Sequence, residues 1–118
     1  MSKVLLLQFE TDPESAARRQ ALNAAGVSLT EDEPRWPNFF ATVTAQRPDV
    51  IAIACSRLPD YAREAARYLG EGFNTRDIPL LLVDAPEKER AALESYVRTY
   101  QPNAKFVQTG ELAAALGS

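Results

Sequence analysis

Short apolar runs alternate with helical patterns along the whole chain. The runs cover residues 4–9, 27–29, 50–55, 80–83 and 106–107. The first, third and fourth are continuous rather than alternating, which is typical of parallel strands covered by helices on both faces. The second is short and mixed in character. We therefore expect five strands, with residues 27–29 at an edge of the sheet.

Helical signals fill the gaps between these runs. Proline residues and Gly26 indicate where these helices begin and end. The signals predict helices over 13–25, 37–46, 59–69, 86–101 and 111–116. The last helix is so short that its stability must come from docking onto the rest of the fold.

The apolar spacing predicts which side of each helix faces the sheet. In the first helix the small residues Ala17, Ala21, Ala24 and Ala25 line one side. In the second helix the bulky residues at i, i+3, i+4 and i+7 predict a core-facing stripe, which comprises Trp36, Phe39, Phe40 and Val43. Since Trp36 precedes Pro37 at the helix entrance, partial exposure to a partner is the alternative for it.

Strict alternation of strands and helices with short links predicts one three-layer α/β domain over residues 1–118. Right-handed crossovers then give a doubly wound, parallel, five-stranded sheet, and the flavodoxin-like order 2-1-3-4-5 fits best. In this architecture ligands sit at the carboxyl ends of the central strands. Functional residues are therefore expected directly after the first, third, fourth and fifth strands.

Composition narrows the functional classes. The formal charge is −3 and the basic residues are not clustered, which argues against a nucleic-acid-binding surface. No apolar run is long enough for a signal peptide or a membrane span, and the single cysteine cannot form an internal disulfide, so we expect a cytoplasmic protein. Histidine is absent, which excludes His-based acid–base catalysis and most zinc sites.

Several stretches resemble the receiver domains of response regulators, the CheY-like family. Residues 46–54 (QRPDVIAIA) are similar to the Pro-Asp entry to the third receiver strand, and residues 75–82 (TRDIPLLL) to the entry to the fourth. Residues 103–107 (NAKFV) are similar to the fifth strand, and residues 3–7 followed by 12–14 to the opening of the domain. The resemblance covers the whole chain in order and spacing, and residues 75–79 are its most specific part.

The resemblance also implies a set of chemical groups that this chain lacks. Receivers hold Mg²⁺ with an acidic pair after the first strand and a phospho-accepting aspartate after the third, and a hydroxyl and a lysine steady the phosphoryl oxygens. Here the acidic pair falls on Gln8 and Phe9, with two carboxylates close by. We expect a degenerate phosphorylation pocket made of Glu10, Asp12, Ala54, Cys55, Asp84 and Thr109.

The departures are specific to each position. The phospho-acceptor position falls on Ala54, or on Cys55 if the alignment slips by one residue, and neither can form an acyl phosphate. The hydroxyl position falls on Asp84, whose negative charge would repel a phosphoryl group. The lysine position falls on Thr109. We expect no phosphorylation chemistry and no bound metal or other cofactor.

Three features have competing interpretations. The carboxylates Glu10, Asp12, Asp60 and Asp84 either form a residual cation site or, as we favour, Asp12 and Asp84 cap the helices that follow them. Cys55 is either a reactive thiol or, as we favour, a small buried hydrophobic residue. Ser56 and Arg57 could bind an anion, although a loop arginine is more often solvated. The run 31–33 (EDE) is expected to be a solvated loop.

The sequence predicts a non-enzymatic interaction module of bacterial two-component-type signalling that works without phosphorylation. Its partner would be a protein, a homodimer being left open, and the candidate interaction face comprises Tyr96, Tyr100 and Phe106. Neither nucleic acid nor membrane is expected as a partner. The alternatives are a flavodoxin-like small-molecule-binding protein, a small enzyme, or a domain cut from a longer regulator.

Overall fold

The computed structural model describes residues 2–56 and 59–117 of the chain. Arg57, one half of the candidate anion site, lies outside the described residues. Within the described part, strands and helices alternate from end to end: β1 (Lys3–Leu7), α1 (Ser15–Ala24), β2 (Ser28–Asp32), α2 (Asn38–Gln46), β3 (Val50–Ala54), α3 (Pro59–Glu71), β4 (Leu80–Val83), α4 (Glu87–Tyr100), β5 (Lys105–Val107), a 3₁₀ turn (Thr109–Glu111) and α5 (Leu112–Gly117).

The five strands form one parallel sheet in the order β2-β1-β3-β4-β5, which confirms the predicted topology. Leu5 in β1 lies opposite Thr30 of β2 on one side and Ile51 of β3 on the other. β4 pairs with β3 and with β5. Because every strand runs in the same direction, all five carboxyl ends meet at one edge of the sheet.

Each face of the sheet carries its own core. Leu5 and Leu7 point to the face covered by α2, α3 and α4, whereas Val4 and Leu6 point to the face covered by α1 and α5. Side chains alternate between the faces along a strand, so burial on both faces requires continuous apolar runs. No helix within the described residues is both long enough and apolar enough to cross a membrane.

Helices α3 and α4 approach each other closely at Gly70. A Cβ atom at this position would lie 2.7 Å from the carbonyl oxygen of Tyr100 and 2.8 Å from its Cβ. The inner side of α3 is fully buried and consists of Ala62, Ala65, Ala66 and Leu69. Small residues on α3 therefore let both helices lie directly on the sheet.

The predicted inner side of α1 is only partly right, since Ala21 alone of its four alanines packs against the core. Ala17 and Ala24 are exposed, and the buried positions are Ser15, Arg18 and Leu22. The helix also begins at Ser15 rather than at Pro13. The buried residues are spaced at i, i+3 and i+7, so a helical stripe exists, but it includes a charged residue that an apolar pattern does not count.

Two predictions about residues 31–36 are also wrong. Glu31 and Asp32 belong to strand β2 rather than to a solvated loop, and the strand reaches three residues beyond its predicted end. Trp36 is 50% exposed, whereas Phe39 is 1% exposed and lies in the core. Trp36 precedes the first turn of α2, where its ring stacks on Tyr68 of α3 at the surface.

Candidate functional site

A fully buried arginine occupies the carboxyl end of the sheet. Arg18 lies in the first half of α1, and none of its side chain is exposed to solvent. Its guanidinium group contacts residues that directly follow β1, β3 and β4. Burial of an arginine is costly unless its charge is paired and its N–H groups are hydrogen-bonded, and both conditions are met here.

Two carboxylates neutralise this guanidinium. Its Nη1 lies 3.1 Å from Oδ2 of Asp12, which belongs to the loop after β1. Its Nε lies 2.9 Å from Oδ2 of Asp84, which directly follows β4. One positive charge is therefore shared between two carboxylates that come from different strand ends.

Neutral side chains complete the set of partners. Nη1 also donates to Oε1 of Gln8 at 3.2 Å, and Nη2 donates to Oγ of Ser56. Ser56 in turn donates to Oδ2 of Asp12 at 2.8 Å. We call these five residues, Gln8, Asp12, Arg18, Ser56 and Asp84, the Arg18 network. Every guanidinium nitrogen has an acceptor within this network.

Asp84 connects the network to the end of β5. Its backbone has a φ of 57°, in the left-handed region that Asp and Asn tolerate better than most residues. Its Oδ1 accepts a hydrogen bond from the backbone N–H of Thr109 at 2.8 Å, and its Oδ2 accepts one from the Thr109 hydroxyl. The turns after β4 and β5 are thus joined to each other and, through Arg18, to α1.

The hydrogen bonds of the network favour the ionised form of Asp12. Burial alone would raise the pKa of its carboxyl group, but hydrogen bonds from the Glu14 N–H and the Ser56 hydroxyl, together with the Arg18 guanidinium, outweigh burial and lower this pKa. A carboxylate held this way is a structural counter-ion, not a proton donor or acceptor near neutral pH.

Ala54 and Cys55 lie at the end of β3, beside the network, and supply no reactive group. Ala54 is the last residue of β3 and is buried. Cys55 is fully buried, as favoured from the sequence, and burial raises the pKa of its thiol to about 12. Only the thiolate is a strong nucleophile, so Cys55 is unreactive in the folded chain at neutral pH.

The four candidate carboxylates do not gather into one cluster. Asp12 and Asp84 meet at Arg18, but the side chain of Glu10 is exposed and that of Asp60 pairs with Arg63 on the outside of α3. Within residues 2–56 and 59–117, no group of three or more acidic, histidine or cysteine side chains is arranged to hold a metal ion.

The favoured capping role is wrong for Asp84 and partly right for Asp12. Asp84 accepts from Thr109, and no side chain caps α4, whose first turn follows Pro86. Asp12 accepts from the backbone N–H of Glu14 at 2.9 Å, the residue that precedes α1. Its other oxygen serves Arg18, so both carboxylates act mainly as counter-ions.

Only two of the three residues of the predicted interaction face are in contact with each other. Tyr96 and Tyr100 lie next to each other on α4, with ring centroids 5.4 Å apart, and arginines of α3 cover their rings. Phe106 lies under Arg98 and packs on the core, and it has no ring contact with either tyrosine among the described residues. All three side chains are half-buried. This face remains a prediction.

Sequence reasoning missed the residue at the centre of the site, Arg18. The available signal was electrostatic: Asp12 and Asp84 were both expected at strand ends, without any cation assigned to balance them. Arg18 lies three residues after Ser15 and four before Leu22, on the side of α1 that faces these strand ends. Ser56 was weighed only as part of an anion site, and its hydroxyl instead bridges Asp12 and Arg18.

Comparison with known proteins places the fold. No family model and no curated protein matches this sequence. Among solved structures, the chain is similar to the receiver domain of a sensor histidine kinase from Pseudomonas aeruginosa, a crystal structure with a magnesium ion coordinated in its active site cleft. The TM-score is 0.74 at 18% sequence identity, over 99% of this chain and 98% of that domain. The chain therefore has the fold of a receiver domain.

Proposed function

We propose that this chain is a receiver-like protein-interaction module that acts in two-component-type signalling without being phosphorylated. It would be a cytoplasmic, non-enzymatic protein that needs no cofactor, and it would work by presenting a fixed surface to a protein partner. The fold and the resemblance of residues 75–82 to receivers support the signalling context.

One observation carries the proposal: the buried Arg18 guanidinium lies between Asp12 and Asp84 at the carboxyl ends of the strands, the edge at which ligands of such folds bind. A guanidinium paired with Asp12 and Asp84 supplies the positive charge that Mg²⁺ would otherwise bring to such carboxylates. A divalent cation would have to displace a fully buried, fully hydrogen-bonded side chain. The side chain of Ala54 has no carboxylate that could accept a phosphoryl group.

The network also supports a fixed conformation. Asp84 joins the turns after β4 and β5 to helix α1 through bonds to Thr109 and Arg18. These turns lead into α4 and α5, and the tyrosines of the candidate interaction face lie on α4. A surface held by internal bonds needs no phosphoryl group to set its shape.

The experiment is a titration of the ¹⁵N-labelled chain with beryllofluoride and Mg²⁺, followed by NMR. We expect the amide signals of Ala54, Cys55 and Asp84 not to move. The positive control is a receiver domain that has its phospho-acceptor aspartate. Its amide signals must shift in the same titration. Shifts at these amides in the unaltered chain would contradict the proposal, as would a hydroxylamine-sensitive phosphate formed from acetyl phosphate.

The variant Ala54→Asp separates two reasons for which the chain would not respond to beryllofluoride. One is the missing carboxylate at position 54, and the other is the Arg18 network in the cleft. It restores a carboxylate at the end of β3 and leaves the Arg18 network in place. If the network alone closes the cleft, Ala54→Asp stays unresponsive to beryllofluoride. A response would mean that Arg18 gives way to the metal ion, and the main support for the proposal would be lost.

The flavodoxin-like alternative, a small-molecule-binding protein or small enzyme, has less support. Ligands of such folds bind at the carboxyl ends of the strands, where the Arg18 network lies. A ligand that co-purifies with the chain in a native mass spectrum would favour this alternative instead.

A further inference from the structure

A groove lies at the C-terminal end of helix α2, at the edge of the sheet opposite the Arg18 network. It has a volume of about 400 Å³ and lies between the end of α2 and the segment that leads from α3 into β4. This size is within the usual range of ligand sites. The side chains that form it are Val43, Thr44, Arg47, Asn74, Thr75 and Ile78.

Aromatic side chains that are exposed or half-buried lie next to this groove. Trp36 and Phe73 are the only large apolar side chains classed as exposed among the described residues, at 50% and 78%. Trp36 stacks on Tyr68 with ring centroids 4.4 Å apart and meets the edge of Phe40 at 5.2 Å. We call Trp36, Phe40, Tyr68 and Phe73 the aromatic surface.

The aromatic surface and the groove are continuous. Phe40 reaches the opposite wall, because a Cβ atom at Gly72 would lie 3.1 Å from its Cζ. Phe40, Thr44 and Arg47 follow one another at helical spacing, so they line one side of α2 and its end. The ring stack at Trp36 and the charge at Arg47 therefore mark the two ends of one continuous surface.

Two arginines at this surface form no ion pair among the described residues. Among the described arginines, only Arg47 and Arg76 make no ion pair, since the others are bound to Asp or Glu. Arg47 lines the groove, and Arg76 covers the exposed ring of Phe73 with its guanidinium carbon 5.2 Å from the centroid. Helix α2 has no charged residue, and Asp77, which directly follows Arg76, pairs with neither arginine within the described residues.

We propose that this groove binds an acidic peptide segment of a partner protein, with an aromatic or large apolar residue of the segment seated on Trp36. Aromatic rings and arginines are the side chains that contribute most to binding at protein interfaces. Unpaired guanidinium groups select carboxylates by charge and by hydrogen-bond geometry. The proposal rests on the proposed function only in taking the chain to be an interaction module.

The spacing of the groove predicts the spacing of the segment. Trp36 and Arg47 are eleven positions apart, which corresponds to roughly 16 Å along a helix. An extended peptide rises about 3.3 Å per residue, so about five residues separate the anchor from the carboxylates.

The test uses the intrinsic fluorescence of Trp36, the only tryptophan in the chain. The probe is a short blocked peptide that has a phenylalanine followed, about five residues later, by an Asp-Glu pair. We expect a saturable change in Trp36 emission with this peptide and none with a counterpart in which lysines replace both acids. Equal binding of the lysine peptide would overturn the proposal.

Charge reversal locates the binding surface. The double variant Arg47→Glu, Arg76→Glu should bind the acidic peptide at least about tenfold more weakly, because attraction becomes repulsion at two contacts. Arg90→Glu, an exposed change on α4, is the matched control and should bind normally. Circular dichroism checks that each variant is folded, and ¹⁵N shifts at Thr44 and Asn74 report binding independently of Trp36.

Two other outcomes would overturn the proposal. One is an emission that changes with protein concentration in the absence of peptide, because the surface would then bind a second copy of the chain. The other is a folded protein with no saturable change and no shifts at Thr44 or Asn74. The beryllofluoride titration reads the opposite end of β3, so the two proposals can fail separately.

Discussion

The carboxyl end of the sheet and the groove beside α2 satisfy their polar groups in opposite ways. At the strand ends, the Arg18 guanidinium is buried and every one of its nitrogens has a partner inside the chain. At the groove beside α2, neither Arg47 nor Arg76 has a carboxylate partner in the described part of the chain, and aromatic rings face solvent. Groups that are satisfied internally stabilise the fold, whereas unsatisfied groups are free for another molecule.

Removal of Arg18 should have the largest effect on stability. In Arg18→Met, Asp12 and Asp84 remain at the strand ends without a cation, and loss of one partner of a buried pair typically costs about 3–5 kcal/mol. Urea denaturation measures the free energy of unfolding. Arg19→Met is the matched control, because its pair with Glu31 is largely exposed and should contribute less than about 1 kcal/mol. Equal stability of the two variants would show that the network does not hold the strand ends together.

Truncation of two neighbouring aromatic residues should separate core from surface. Phe39→Ala removes a buried ring and should lower the free energy of unfolding by about 3–5 kcal/mol. Trp36→Ala removes a half-exposed ring and should lower it by about 1 kcal/mol, although it should abolish binding of the acidic peptide. Thermal or urea denaturation of both variants measures these two losses of stability. If Trp36→Ala is as destabilising as Phe39→Ala, Trp36 is a structural residue and is not available to a partner.

The smallest expected effect is on the free energy of unfolding at acid pH. The hydrogen bonds and the Arg18 charge lower the pKa of Asp12 in the folded chain, so this residue stabilises the fold above the ordinary aspartate pKa of about 3.9. That contribution is lost as the pH falls through the lower, folded value. Asp12→Asn should therefore flatten the decline of stability below about pH 4, measured by urea denaturation across pH. Asp77→Asn, a change at an exposed residue without an ion pair, should leave the slope unchanged.

Apolar patterning was sufficient to predict the centre of the sheet, because β1, β3 and β4 are buried on both faces. Their continuous apolar runs are typical of central strands, and the buried residues of α3 and α4 likewise recur at helical spacing. β2 was placed poorly because an edge strand is only half covered. Its last two residues are acidic, and their carboxylates accept hydrogen bonds from Arg19 and Thr42.

The centre of the candidate site could not be read from the sequence by the same reasoning. Hydrophobic periodicity treats arginine as an outward-facing residue, so the alanines of α1 appeared to be the better inner side. Burial of Arg18 depends on Asp12, Ser56 and Asp84, which are distant in sequence and meet only after the sheet has formed. Counting unbalanced charges at the strand ends is the one signal that would have found it.

Because Asp84 binds both Arg18 and Thr109, the turns after β4 and β5 cannot be altered independently of helix α1. A new aspartate at position 54 would enter a cleft whose single cation already serves two carboxylates. Loss of Arg18 would leave those carboxylates unbalanced, and loss of Asp84 would free both Thr109 and one side of the guanidinium. Each single change at these positions therefore leaves a charge or a hydrogen-bond donor without its partner.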